Sequence, residues 1–335
     1  MYRIKNSLWL LLIILIQPLS GQYSEKRTLS ELQQDFVNLR FGMFIHYSIQ
    51  TYLNVEHAPP RQDLKIFNPT NLNCDQWAEA AISSKMTYGV LTTKHHDGFS
   101  LWNSSVTEYD IANSSYMGDV VKEFVEAFRS RNLKVGLYYS IRDKQHKIKK
   151  GNVTPDKVAL IKTQLKELLT NYGPIDMIVF DGWGNSWHKS PTFEEISYSE
   201  IYWHIKNIQP DCLVITHQQD PAVSDIIHFE QNAGQNISGE NSLPAQSGPC
   251  IQSRWFWDLE HPNEELKSVE FIVNECLKPF NDIYCNLLLN CAPNRQGLMD
   301  ENVLERLSEI GEAWDPPQTI EEIPKQWKNW PVPQK

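Results

Sequence analysis

From residue 41 to residue 313 the chain keeps changing its hydrophobic period, and that alternation leaves few folds open to it. Short apolar runs rich in β-branched and aromatic residues read as strands. They are "FGMFIHYS" (41–48), "YGVLTTKH" (88–95), "LKVGLYYSI" (133–141), "IDMIVFDG" (175–182), "CLVITH" (212–217), "DIIHFEQ" (225–231), "RWFWD" (254–258) and "YCNLLLNC" (284–291). Between them the period lengthens. "CDQWAEAAISSK" from residue 74 reads as a helix, and "GDVVKEFVEAFRSRN" (118–132) sets Val121, Phe124, Val125 and Phe128 on one helical face. Thr154-Pro155 opens another helix as N-cap and first residue, and Gly173-Pro174 ends it. Further helices are expected near 194–208, 263–278 and 300–313, with none clear between the sixth and seventh strands. Strands apolar on both faces and alternating with helices make a parallel sheet. Eight such units in about 270 residues fit an α/β fold, a (β/α)8-like TIM barrel with one or two helices missing in the fifth and sixth units. An open doubly wound sheet is the other candidate, but "FGMFIHYS" leads into no Gly-rich nucleotide turn.

The first 21 residues read as a signal peptide: Arg3 and Lys5, the nine-residue apolar core "LWLLLIILI" (8–16), then Pro18 and small residues. That core is far short of the ~20 residues a membrane-crossing helix needs. The expectation is a protein secreted or periplasmic after cleavage, with no membrane span in its mature form. The remainder divides into a catalytic barrel domain over 22–314 and a Pro-rich tail over 315–335, read as an extended strap or a disordered end. Formal net charge is −10, with no basic run, which argues against nucleic acid as a partner. Six cysteines are too few for a disulfide scaffold, although export would permit one or two bridges. The sequons at Asn103, Asn113, Asn152 and Asn236 would matter only in a eukaryotic secretory pathway. Oligomeric state is not legible.

In barrels of this kind the active site gathers at the C-terminal ends of the strands. Those ends carry His46, then His95-His96-Asp97, Tyr138-Tyr139, Asp181, His217, Glu230, Trp255 and Trp257, and Asn290. Histidine, tyrosine and asparagine bond hydroxyls while tryptophan offers a flat apolar face, a combination suited to a carbohydrate. Hydrolysis of a glycosidic bond needs two carboxyl groups, and Asp181 and Glu230 could flank a bound sugar. A metal site on His46, His95, His96 and Asp181 remains a competing reading. Neighbouring strand residues diverge, so His95 and His96 can act together only if the chain turns at Asp97-Gly98.

Several of these stretches, in order, resemble the α-L-fucosidases of glycoside hydrolase family 29: "RFGMFIHYS" (40–48), "FNPTNLNCDQWAEAA" (67–81), "LTTKHHDGFSLWNSSVTEYDI" (91–111), "KVGLYYS" (134–140), "NYGPIDMIVFDG" (171–182) and "NRQGLMDENVLERLSEIG" (294–311). The resemblance implies a metal-independent, cofactor-free retaining glycosidase that releases α-L-fucose from a fucosylated glycan or oligosaccharide, with Asp181 as nucleophile. It implies that His46, His95, His96 and Tyr139 hold the sugar hydroxyls. Glu56 falls where part of the family has a Glu-Trp pair touching the sugar, with His57 here in place of the tryptophan. "HYSIQTYLNVE" is closer to the branch associated with α-1,3/1,4-linked fucose. Two positions where relatives carry an acid/base glutamate align with Asn232 and Gln246, leaving Glu230 as first choice and Glu240 as second. The alternative is a fucose-binding protein on a catalytically impaired barrel. Relatives often add a C-terminal β-sandwich, which is not expected in this chain.

Overall fold

The computed structural model describes residues 27–184 and 189–335. The expected leader, residues 1–21, lies outside the described residues. Among those described, eight parallel strands form one sheet: β1 (Phe41–Ile45), β2 (Tyr88–Lys94), β3 (Lys134–Ser140), β4 (Met177–Asp181), β5 (Leu213–Thr216), β6 (Ile227–Glu230), β7 (Ala245–Gly248) and β8 (Cys285–Asn290). Their order, β5-β4-β3-β2-β1-β8-β7-β6, is that of a TIM barrel. The ring closes between β5 and β6 without a ladder, the Asp225 N–H donating to Val214 O at 2.8 Å.

The helices are α1 (Leu29–Val37), α2 (Ile49–Leu53), α3 (Cys74–Ser83), α4 (Val120–Ser130), α5 (Pro155–Asn171), α6 (Tyr198–Ile208), α7 (Lys278–Asp282) and α8 (Glu301–Ala313), with a π-helical stretch, Phe271–Leu277, leading into α7. After β5 and after β6 there are only 3₁₀ turns, Pro221–Val223 and Gln231–Ala233, so the fifth and sixth units do lack their helices. No helix among the described residues is long and apolar enough to cross a membrane.

Strand alternation separates two apolar layers. On β1, Phe41, Met43 and Ile45 pack in the layer that includes α3 and α4 residues, whereas Phe44 joins the barrel interior with Tyr88, Val90, Tyr138, Met177 and Val179. Gly42 makes room for that interior, because a Cβ there would stand 2.3 Å from the Tyr88 ring. Helix α1 plugs the same interior with Leu32, Phe36 and Val37, and its start is fixed by a capping box between Thr28 and Glu31. Such filling makes the barrel a packed core and leaves the opposite end for chemistry.

The tail lies against the side where helices are missing. The indole of Trp327 donates to Ser242 O and that of Trp330 to Ser224 O, each at 2.9 Å, while Trp203 of α6 donates to Pro333 O at 2.9 Å. Trp327 is buried with the interior cluster.

The seventh strand is not where its composition places it. The aromatic run 254–258 is a loop, and the seventh strand is the small, polar "AQSG". At its end β8 leaves no room for a side chain: a Cβ on Gly248 would stand 1.8 Å from Leu288 O. The aromatic run has the composition of a strand, yet it is held by side-chain contacts around the barrel mouth.

Candidate active site

The strand ends frame a cavity of about 250 Å³, lined by residues of β1, β3, β4 and β6 and of the loops that follow β1, β2, β5, β6 and β7. That is smaller than the ~300–1,000 Å³ of a cleft for a drug-sized ligand, and it suits one sugar ring.

The turn after β2 builds one wall. The pairing of β2 with β3 slips between Thr92 and Lys94, and a bulge of this kind re-aims side chains. Lys94 turns out of the barrel, where its ammonium reaches Tyr139 Oη at 3.0 Å and Asp143 Oδ2 at 3.1 Å. The strand then stops, and the chain turns at Gly98, whose φ of +97° favours a residue without Cβ. As a result His95 and His96 both line the cavity, their ring centroids 4.2 Å apart.

Asp181 ends β4. Its Oδ2 accepts from Tyr138 Oη at 2.8 Å and lies 3.4 Å from His96 Nε2, and Oδ1 accepts the Gly182 N–H. His217, beyond the end of β5, places Nδ1 3.5 Å from Asp181 Oδ1 and 3.6 Å from Glu230 Oε2. Asp181 Oδ1 and Glu230 Oε2, which face the same ring nitrogen, stand at most about 7 Å apart, a bound that admits both the ~5–5.5 Å of retaining and the shorter end of the ~6.5–9.5 Å of inverting pairs. Behind His217, His228 stacks on its ring at 4.1 Å and meets Gln246 Nε2 at 3.0 Å.

Opposite, His46 follows β1 and sets Nδ1 2.7 Å from Asn290 Oδ1, with Trp255 packed against its ring at 4.9 Å. Glu56 and His57 close the rim from the long loop after β1, where Phe256 N–H approaches Glu56 Oε1 at 3.5 Å.

Burial and charge set the protonation states. Burial pushes the His46 and His96 rings down to about 3 and His95 well below its ordinary value, so all three are neutral at pH 7. Burial alone would raise Asp181. The neighbouring His217 ring, then His96, and the bonds from Tyr138 and Gly182 outweigh it, and they hold the carboxyl well below the usual range. Burial likewise opposes charge on His217, but the adjacent Asp181 and Glu230 raise its pKa. Burial raises the Glu56 carboxyl against the pull of the Phe256 and Trp255 N–H groups. The cavity therefore pairs an ionised carboxylate with neutral hydrogen-bonding rings.

Of the residues singled out from sequence, Asp181, Glu230, His46, Glu56, His95, His96 and Trp255 converge here. Tyr139 does not: one position from Tyr138 on a strand, it faces the helices and bonds Gln164 Oε1 at 2.7 Å, so the tyrosine facing the cavity is Tyr138. Trp257 also lies outside the cavity lining, buried with its indole N–H on Asp300 Oδ2 at 2.7 Å. Glu240 is exposed on a loop away from the cavity. His217, His57, Asn232 and Gln235 line it as well, with no role expected for them as substrate ligands; His217 and Tyr138 stand at strand ends in the sequence. His95, His96 and Asp181 offer ligand atoms within 4.8 Å of one another, the one described cluster that could hold a metal ion. All six cysteines are buried and free.

The alpha-L-fucosidase family profile matches residues 59–315 of this chain. Alpha-L-fucosidase 1 of Arabidopsis thaliana is 27% identical over 301 residues, covering 81% of this chain and 57% of that protein. The chain thus spans a little over half the length of the curated relatives it matches first. Among solved structures, alpha-L-fucosidase isoenzyme 1 from Paenibacillus thiaminolyticus superposes with a TM-score of 0.74 at 27% identity, covering 85% of this chain and 76% of that one. A GH29 alpha-L-fucosidase from Bacteroides thetaiotaomicron, trapped as a covalent intermediate with 2-fluoro-fucosyl fluoride, shares the fold with a TM-score of 0.72 at 18% identity, covering 86% and 75% of the two chains.

Proposed function

The chain belongs to the alpha-L-fucosidase family, and from that premise we propose that it is a secreted, exo-acting retaining α-L-fucosidase. The observation carrying this reading is the triad Asp181–His217–Glu230, two carboxyl groups sharing one imidazole at 3.5 and 3.6 Å in a one-sugar cavity. Asp181, ionised, attacks the anomeric carbon while the bond to the leaving oxygen breaks and Glu230 gives that oxygen its proton. The product is a fucosyl ester on Asp181. Glu230, now a carboxylate, takes a proton from water, and the water oxygen displaces Asp181 at the same carbon. Two inversions retain configuration and return both carboxyl groups to their starting states. The trapped intermediate belongs to the Bacteroides protein; here the same route is supported by Asp181 being kept ionised beside hydrogen-bonding neighbours.

Neutral His46, His95 and His96 give and take hydrogen bonds with sugar hydroxyls without competing for the charge of Asp181. The natural substrate we propose is a terminal α-L-fucosyl residue on a glycan, and export rests on residues 1–21. Incubation with an aryl α-L-fucoside and with a fucosylated oligosaccharide tests the reading. Release of L-fucose that chelators do not abolish supports it. Tight L-fucose binding with no turnover of either substrate would return the pocket to a binding role, and activity lost to chelators would revive the metal site.

A further inference from the structure

His46, His95 and His96 each turn one nitrogen, Nδ1, toward the scaffold, and what the scaffold offers there decides what the other nitrogen presents to a ligand. For His46 the scaffold atom is Asn290 Oδ1, because the Asn290 amide nitrogen is committed to Trp255 O at 2.8 Å. A carbonyl oxygen can only accept, so His46 carries its proton on Nδ1 and turns a lone pair, on Nε2, to the ligand. For His95 the scaffold atom has the opposite polarity. Gln50 Nε2 lies 3.1 Å from His95 Nδ1 and 2.6 Å from Asp97 Oδ1. Asp97 accepts on both oxygens, its Oδ2 taking the Phe99 N–H at 3.0 Å, and this fixes the amide with its NH2 group toward the carboxylate. Gln50 is fully buried and its carbonyl oxygen has no hydrogen-bond partner, so the side chain is held through its NH2 group alone. The second N–H of that group points at His95, and a donor there forbids a proton on Nδ1.

We propose that Gln50 is a positioning residue that fixes His95 in the Nε2–H tautomer, opposite to His46, and thereby makes the wall a donor–acceptor pair for sugar hydroxyls while denying it to metal ions. The sugar half of the statement rests on the fucosidase reading above. His46 and His95 have ring centroids 6.1 Å apart, so neighbouring hydroxyls of one sugar ring can donate to the first and accept from the second. The metal half stands on its own. The cluster His95, His96 and Asp181 has suitable donors, but a ring must present a bare nitrogen to ligate. His95 could free Nε2 only by moving its proton to Nδ1, against the Gln50 N–H. A metal-ligating histidine commonly gives its other N–H to a carboxylate or carbonyl, and here it meets a donor instead. His96 does not present this obstacle, since Ser140 Oγ, 2.6 Å from its Nδ1, gives its one proton to Arg142 O at 2.7 Å and so accepts from the His96 Nδ1–H.

The polarity can be reversed by exchange. Gln50→Glu, and the double variant Gln50→Glu/Asp97→Asn that keeps an amide–carboxylate pair in swapped positions, both place an acceptor against His95 Nδ1. The first readout is ¹⁵N NMR of histidine-labelled, ligand-free protein, which distinguishes protonated from bare ring nitrogens. Wild type should show His95 protonated on Nε2 and His46 on Nδ1, and the double variant should show His95 protonated on Nδ1. The second readout is calorimetric titration with zinc chloride alone. The double variant should bind zinc about 10–100-fold more tightly than wild type, the range that outer partners of metal-bound histidines contribute. L-Fucose affinity should fall in the same variant. Wild-type His95 protonated on Nδ1 would overturn the proposal, as would zinc affinity unchanged in a folded variant whose tautomer had reversed. Should neither exchange variant fold, Gln50→Met, which removes the donor without adding an acceptor, must lose the single His95 tautomer or the proposal fails. Wild type with the expected tautomers that neither binds nor cleaves fucosides would sink the proposed function and leave the tautomer assignment standing.

Discussion

Replacing Glu230 with glutamine removes the side chain's acidic proton, and its negative charge beside His217, while keeping its size. The amide keeps the shape of the carboxyl and an oxygen to face His217, now 3.6 Å away, so Asp181 and the rings of the pocket stay in place. What is lost is proton donation to the leaving oxygen, a contribution of about 10²–10⁴-fold, or roughly 3–5 kcal/mol of barrier. The loss should depend on the leaving group. For a fucosylated oligosaccharide, kcat/KM should fall by the full ~10²–10⁴-fold; for an aryl fucoside whose phenolate departs unaided it should fall less than about tenfold. The second step also loses its base, so kcat on the aryl substrate should drop and azide, which needs no deprotonation, should restore it. The azide product should retain the α configuration, since it displaces Asp181 just as water would. Glu56 is the control, being a second carboxyl in the cavity that burial raises. Steady-state kinetics of Glu230→Gln and Glu56→Gln on both substrates decide the matter. An equal fall on both substrates for Glu230→Gln, or the leaving-group pattern in Glu56→Gln instead, would refute the assignment.

Neighbouring tyrosines on β3 should behave oppositely. Tyr138→Phe removes the 2.8 Å bond to ionised Asp181 and should lower kcat/KM by roughly 10–100-fold, hydrogen bonds to charged groups contributing ~1.5–3 kcal/mol. Tyr139→Phe strips an acceptor from buried Lys94 and should cost about 1–3 kcal/mol of stability while leaving KM unchanged. The fully buried Asp143 gives an acid limb to stability: burial opposes its charge, but Lys94 and His146 hold its folded pKa down at about 2. Because that value is depressed, its contribution is complete above the unfolded pKa of about 3.9 and is lost as pH falls toward 2, roughly 2–3 kcal/mol in urea unfolding curves. Asp143→Asn should be ~3–5 kcal/mol less stable at pH 7, with a shallower acid limb, and equal limbs in the two proteins would contradict the assignment. Trp327→Ala should cost about 3–5 kcal/mol through the cavity left beneath the tail, read by denaturation; a change within 0.5 kcal/mol, about what a surface site gives, would mean the tail does not cover the barrel.

How much of this was legible in the sequence differs from element to element. The period of the apolar residues carried the barrel, including the two absent helices, because a parallel strand buried on both faces has little choice of composition. It failed at β7, a four-residue strand of Ala, Gln, Ser and a Gly248 crowded by β8, which carries no apolar period, while the nearby aromatic run imitates a strand. The convergence of His95 and His96 could be reasoned from the Asp97-Gly98 turn. The bulge that sends Lys94 outward could not, since nothing local in "TTKHH" marks a register slip between strands. Parity decided Tyr138 against Tyr139, and parity depends on where a strand is entered, which residue types do not reveal. His217 stood in plain view at a strand end; its place between two carboxyl groups is a property of three strands together.

The central claim is that Asp181 becomes covalently bound to the sugar. Incubating the protein with 2-deoxy-2-fluoro-fucosyl fluoride and mapping the digested product by mass spectrometry tests it directly. The account predicts one fucosyl adduct per chain, carried on the peptide containing Asp181. An adduct on Glu230 or Glu56 would contradict it, as would turnover without any adduct whose first-formed fucose is inverted at the anomeric carbon.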